Sequence, residues 1–342
     1  MTLSWNCLPY ALAAALCLAT PMASVAQAAT PLKSQPATIT EADPHFEALV
    51  GKHPKLTTIY DQGIWSEGAQ AMPDGSVIWS DVKANKVLRW EEGKGVDVWL
   101  KPSQYQNGHA LDNQGRLLAA SHGKRAIERL EADGKWHVLV DLNGDQKLNS
   151  PNDLIVDRQG DIWFTDPAFG INNPKESYGG NAVQGGDYSY RYSPDTNTLT
   201  RLDTPLVKAP NGIALSPNER TLYISDSQQA YDFDSKTLNH QIVAYDVAAD
   251  KSLSNGRVIT EISPGIPDGI KVDAEGNIWS SSKGSLQVFT PEGKLLGKIA
   301  FPGVVGNMVF ALDAKTKKPV LYVAASNALY RLDVNVKGAL MP

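Results

Sequence analysis

Six residues stand at the head of one recurring pattern in this 342-residue chain: Glu67, Asn107, Asn152, Asn211, Asp268 and Asn307. Every one carries a side-chain oxygen, and none is Cys or His. Carboxylates and amide carbonyls together form a hard oxygen set, which suits Ca²⁺ and, less well, Mg²⁺ or Mn²⁺. The two acids, Glu67 and Asp268, balance a divalent charge. A single Asn-Gly pair is a common turn signal, and such residues could also cap strands or hold waters. Recurrence of oxygen donors at one register of a repeat points instead to a shared site.

A second set stands where each following strand ends: Asp81, His122, Asp166, Asp226 and Ser282. In an antiparallel pair that end returns to the face where the first strand began. These residues are expected to form either a substrate rim or the starts of tight turns, which Asp favours. His122 breaks the acidic series. His109 lies two residues beyond Asn107 on the same strand face and reads either as a core histidine or as a contact. Asn107, His109 and His122 are therefore the candidate substrate-binding residues. Asp141-Leu142-Asn143-Gly144-Asp145 resembles the start of a calcium loop but lacks the closing glutamate, so it reads as a turn. No G-x-S-x-G elbow, H-E-x-x-H helix or P-loop occurs.

The pattern that carries these residues is a short apolar alternation, a turn with Gly or Asn, and a second strand. Its starts are separated by 40, 45, 59, 57 and 39 residues. A unit of about 40 residues with several short strands is the signature of a propeller blade. Six copies predict an all-β, six-bladed β-propeller with four-stranded antiparallel blades over residues 45–335. The last copy is one strand short, and Leu56–Tyr60 is expected to supply that strand and close the ring. The two long spacings hold insertions, Phe169–Asp187 and Gln228–His240, expected to emerge on the face of the six residues as a lid or specificity loop. One short helix is expected near Thr40–Val50.

Ahead of the repeat, Leu8–Val25 is apolar and uncharged, and Ala26-Gln27-Ala28 is a small-x-small cleavage pattern. Residues 1–28 read as a secretory signal peptide, although the segment before Leu8 has no Lys or Arg. Pro9 and Pro21 leave an uninterrupted run of 11 residues, too short for a membrane span. Cys17 follows the bulky Leu16, which disfavours a lipoprotein site. Both cysteines, Cys7 and Cys17, fall in this segment, so the mature chain would carry no thiol chemistry and no disulfide. Residues 29–44 are expected to be a loose lead-in. The expected location is secreted, in a bacterial periplasm, with no membrane contact after cleavage. The net charge of −5 argues against nucleic acid as a partner. The sequence names no protein partner.

Leu148-Asn149-Ser150-Pro151-Asn152-Asp153, Phe164-Thr165-Asp166-Pro167-Ala168-Phe169-Gly170-Ile171, Pro210-Asn211-Gly212-Ile213-Ala214-Leu215-Ser216-Pro217 and Pro267-Asp268-Gly269 resemble the gluconolactonase and senescence marker protein family, related to the diisopropyl fluorophosphatase and paraoxonase propellers. The resemblance runs from about Trp65 to Asp333. It implies a six-bladed propeller holding one catalytic divalent cation, usually Ca²⁺. By motif, the implied metal ligands are Glu67, Asn152, Asn211 and Asp268, with Asn152 touching substrate in some members. It also implies a hydrolase of carboxylic ester bonds acting on a small sugar lactone: the cation polarises the carbonyl, water attacks, and the metal or Asp268 activates that water. The export segment and the Gly-rich insertion depart from the pattern of many relatives. Two other readings stand beside this one: a different ester or phosphotriester hydrolase on the same site, and a non-catalytic binding propeller with a structural ion.

Overall fold

A computed structural model describes residues 32–341, so the expected signal peptide lies outside the described residues. The chain is all-β, built of antiparallel sheets whose strands follow sequence order. The first sheet is Ser66–Ala71, Val77–Asp81, Lys86–Glu91 and Gly95–Leu100. The second is Gln106–Leu111, Leu117–Ser121, Ala126–Leu130 and Trp136–Val140. The third is Leu154–Val156, Ile162–Asp166, Tyr188–Ser193 and Thr198–Arg201. The fourth is Pro210–Leu215, Thr221–Asp226, Gln241–Val247 and Leu253–Glu261. The long strand Leu295–Leu312 then serves two sheets: its first half pairs with Ile278–Phe289, which pairs with Ile270–Val272. Its second half pairs with Pro319–Ala325, followed by Ala328–Asp333. Lys55–Tyr60 pairs antiparallel with Ala328–Asp333, matching Leu56 to Leu332 and Thr58 to Tyr330.

The turn between the first two strands of a sheet repeats one chemistry. In Asp112, Asp157 and Asp273, one carboxylate oxygen accepts two backbone N–H groups from the residues two and four positions on. Three residues beyond each Asp, a glycine takes a φ between +76° and +92°, a conformation that costs glycine little. The other oxygen of Asp157 and Asp273 accepts from the buried indoles of Trp163 and Trp279, at 2.9 and 2.8 Å. The turn is thus fastened to the core beside it.

Apolar clusters fill the space between each pair of neighbouring sheets. Trp163 packs with Leu215 and Ile224 between the third and fourth. Trp79 packs with Tyr322 and Ile59 between the first and the last. The leading strands touch in the same order, and Leu295–Leu312 lies back against Ser66–Ala71.

The segment expected to be a loose lead-in is ordered. Lys33–Pro36 adds to the edge of Lys55–Tyr60, and Ile39–Ala42 adds to Leu295–Leu312. Apart from Ile39, which packs against the core, these four-residue strands are exposed, so edge backbone pairing drives them rather than side-chain alternation. The helix Pro44–Val50 follows, its first N–H groups accepted by Asp43 at 2.8 and 3.1 Å, a normal N-cap. Phe46 lies so close to Gly297 that any Cβ there would overlap the ring. Asp141–Asp145 lies in a tight hairpin of Leu142–Asn143 and Gln146–Lys147, with Asp141 ion-paired to Lys147, as its turn reading requires.

Candidate active site

Five of the six pattern residues sit within two residues of the start of a leading strand, and Asn307 lies within Leu295–Leu312. Neighbouring leading strands are stitched directly together there. Gly108 donates to the Asn152 carbonyl at 2.8 Å, Gly212 to the Asp268 carbonyl at 2.9 Å, and Gly269 to the Gly306 carbonyl at 2.7 Å. Hydroxyls add a second stitch: Ser80 to Asn107 O, Thr165 to Asn211 O and Ser225 to Asp268 O, at 3.0, 2.6 and 2.6 Å. The glycine that follows Glu67, Asn107, Asn211 and Asp268 therefore serves close approach and not a turn. A Cβ on Gly212 would lie 2.5 Å from Asp268 O, and one on Gly68, which also has φ +50°, would overlap Asn107 O.

Glu67, Asn107, Asn152, Asn211 and Asn307 are at most 7% exposed, and Asp268 is part-buried. Burial pushes the Glu67 carboxyl well above its ordinary range, and the charges of Asp268, Asp153 and Glu176 push it further. Asp268 is raised to about 7, first by burial and then by Glu176 and Asp153, while a hydrogen bond from Asn211 opposes the shift. Four acids thus share one field. The Oδ1 atoms of Asn107 and Asn211 are buried with no hydrogen-bond partner. Unpaired buried acceptors are costly, and a hard cation between two carboxylates would pair the Asn211 oxygen and cancel the repulsion. The residues present fit a divalent cation on those two grounds. Among the described residues no group of three His, Cys, Asp or Glu forms a metal cage, so amide oxygens would have to complete the shell. Asn307 Oδ1 accepts its neighbour Met308 N at 2.8 Å, which turns that side chain to the wall.

The second set divides. Asp81 accepts Ile64 N and Trp65 N, Asp166 accepts Asn149 N, and Asp226 accepts Lys208 N and Ala209 N. Those donors precede the leading strands, so the acids clasp the chain where it enters each strand and do not form a rim. His122 differs: its ring faces Asn107 and Glu176 O. His109 is 5% exposed, the same as Asn107. Its Nδ1 donates to Gly68 O at 2.8 Å, and its Nε2 faces Gln106 at 3.4 Å, so it braces the first sheet against the second.

Three participants escaped the sequence reading. Asp153 is buried, pairs with Lys271 at 3.0 Å, and stands where four of the other five copies carry glycine. That substitution was the available signal. Glu176 lies in the insertion, ion-paired to Lys83 at 3.4 Å, and Lys83 covers the Trp65 ring at 4.4 Å. No periodicity marks either of these. The insertion begins with the short helix Phe169–Asn172. It packs Tyr178 on Tyr105 and Phe169 on Tyr231 of the other insertion, with centroids 5.0 and 4.9 Å apart. A cavity of about 410 Å³ lies at its far end, between Asp187, Tyr188, Arg201 and Lys208, and no pattern residue lines it.

Residues 65–327 match the family model described as SMP-30/Gluconolactonase/LRE-like region. The chain belongs to that family. It is 30% identical over 325 residues to the gluconolactonase of Zymomonas mobilis, covering 88% of this chain and 87% of that one. The solved structure of XC5397 from Xanthomonas campestris, described as a gluconolactonase important in glucose secondary metabolic pathways, matches with a TM-score of 0.79. The identity is 36%, over 90% of this chain and 99% of that one. The fold is also shared with regucalcin from Agrobacterium tumefaciens, described as a calcium-binding protein, at a TM-score of 0.62 and 18% identity over 82% and 94% of the two chains.

Proposed function

We propose that this protein is a metal-dependent hydrolase of sugar lactones, gluconolactone-like in size, that opens the ring to the hydroxy acid. The fold behind this reading is a six-bladed propeller whose blades are the six sheets, closed by Lys55–Tyr60. The observation that carries it is the gathering of two mutually repelling carboxylates, the buried Glu67 and the part-buried Asp268, with the unpartnered amide oxygen of Asn211. The gluconolactonase relatives at 30% and 36% identity support the substrate class.

Glu67, Asn211 and Asp268 would hold the cation, with Asn152 as fourth ligand or substrate contact; the all-oxygen set favours Ca²⁺. When bound, the cation supplies Lewis-acid polarisation of the lactone carbonyl and charge to offset the oxyanion. Asp268 would take a proton from the attacking water. The water oxygen bonds to the carbonyl carbon, the ring C–O bond breaks, and the leaving alkoxide takes the proton that Asp268 accepted. No covalent nucleophile is needed. The buried leading strands fix these groups without rearrangement, as a preorganised site requires.

The purified protein should hydrolyse a panel of sugar lactones, lose that activity to a chelator, and regain it with Ca²⁺. Preference for phosphotriesters or other esters over every lactone would favour the alternative hydrolase. Cation binding with no turnover of any of these would leave a binding propeller with a structural ion. We further propose that residues 1–28 direct export to the periplasm. The mature protein would then begin at Ala29, and an intact mass retaining Met1 on membrane-extracted protein would contradict this.

A further inference from the structure

The histidine that breaks the acidic series has a defined hydrogen-bond direction. His122 Nδ1 lies 3.3 Å from the backbone carbonyl oxygen of Glu176. A carbonyl oxygen only accepts, so Nδ1 carries the proton. The imidazole is fully buried, and burial pushes its pKa down to about 4, so at neutral pH it bears one proton and no more. Nε2 is then a bare acceptor. It lies 3.3 Å from Asn107 Nδ2, which must be the donor. The amide is thereby fixed with its Oδ1 as the remaining polar atom, and that atom is buried without a partner.

The insertion grips the imidazole in a second way. A Cβ on Gly170 would lie 2.6 Å from His122 Cγ and Nδ1, so the short helix Phe169–Asn172 can seat on the ring only because glycine is there. Glu176 is itself held by Asn173, whose Nδ2 donates to Oε1 at 2.8 Å, and by Lys83 at 3.4 Å.

We infer that His122 is a positioning residue through which the Phe169–Asp187 insertion turns the Asn107 amide oxygen into the site as an acceptor for a substrate hydroxyl. The hydroxyl role rests on the lactonase reading; the positioning does not. The consequence is a division of labour. Glu67, Asn211 and Asp268 act on the lactone group that every substrate shares, whereas the insertion, through His122 and Asn107, selects lactones that carry hydroxyls.

Two measurements test this on the mature protein. The first is the ¹⁵N spectrum of the His122 imidazole at neutral pH, assigned by its loss in His122→Phe. The expected signature is a protonated Nδ1 and an unprotonated Nε2; the opposite tautomer would overturn the relay, whatever the activity. The second compares glucono-1,5-lactone with the hydroxyl-free δ-valerolactone. One hydrogen bond is worth roughly five- to tenfold. His122→Phe should raise KM for the hydroxylated lactone by that factor, with kcat nearly unchanged and no change for δ-valerolactone. Gly170→Ala, which displaces the ring without removing it, should move KM the same way by less. Equal losses on both lactones, or loss of Ca²⁺ binding, would overturn the hydroxyl-acceptor role. A wild-type protein inert to both lactones would sink the lactonase reading and that role with it, while the tautomer would still decide whether His122 positions Asn107.

Discussion

The strand heads and the Phe169–Asp187 insertion face the same chemistry but are built in opposite ways. At the strand heads, backbone N–H groups and hydroxyls lock each leading strand to the next at 2.6–3.0 Å. The insertion holds a four-residue helix and otherwise leans mainly on side chains: aromatic pairs, one ion pair, hydrogen bonds such as those of Ser150 with Gly170 N and of Gln184 with Lys147 O, and a carbonyl on His122. The first can hold an ion to a fraction of an ångström. The second can vary from one relative to another without disturbing the first. On the proposed reading, reaction type and substrate choice would be carried by separate regions, as expected where variable loops ride on a rigid scaffold.

The sharpest break between the regions is chemical. Asp268→Ala should lower lactone hydrolysis by about 10²–10⁴-fold, the range for loss of a general base, while Asp141→Ala, in its surface hairpin, should leave it nearly intact. Equal losses in steady-state rate would mean that the acids at the strand heads are misread.

Next in size is a packing contrast. Gly68→Ala drives a Cβ into Asn107 O at a positive φ, whereas Gly179, in the insertion, has φ +80° but open space around it. Denaturant melts should show Gly68→Ala costing more than about 3 kcal/mol and Gly179→Ala about 1 kcal/mol. Similar costs would show that the strand heads are not the tight region.

A third effect separates the two by pH. The folded-state pKa values of Glu67 and Asp268 are raised, that of Asp268 from 3.8 to about 7. Between those values the folded state binds more protons than the unfolded chain, so the stability of the chelated protein should fall as pH rises from about 4 to 7. Added Ca²⁺ should stabilise more at pH 7 than at pH 5 in thermal melts. A Ca²⁺ effect independent of pH would place the ion away from these acids.

The smallest effect is expected from the insertion itself. Shortening residues 172–185 should change KM or substrate preference while metal affinity, followed by calorimetry, stays within about fivefold, since the ligands lie on rigid elements. An unchanged lactone profile would make the insertion decoration.

How far the sequence could be read follows the same division. Repetition exposed the strand heads: one pattern, written six times, gave the strands, their order and the oxygen donors. Asp153 was hidden because its importance lies in replacing a glycine whose purpose, close strand approach, is visible only in three dimensions. The acids of the second set stayed ambiguous for a related reason, since the N–H groups that Asp81, Asp166 and Asp226 accept lie 16 to 18 residues away in the chain. Lys33–Pro36 and Ile39–Ala42 read as loose because edge pairing needs no side-chain pattern. Glu176 and Lys83 occur once each, on segments without periodicity, and only the fold brings them together.

The central claim is that the strand heads form a cation site of oxygen ligands. Anomalous diffraction from crystals of the mature protein grown with Ca²⁺ and, separately, Mn²⁺ tests it most directly. The account predicts one peak with Glu67, Asn211 and Asp268 oxygens at roughly 2.3–2.6 Å for Ca²⁺. A peak elsewhere on the molecule, or Glu67 and Asp268 side chains turned away from it, would contradict the account.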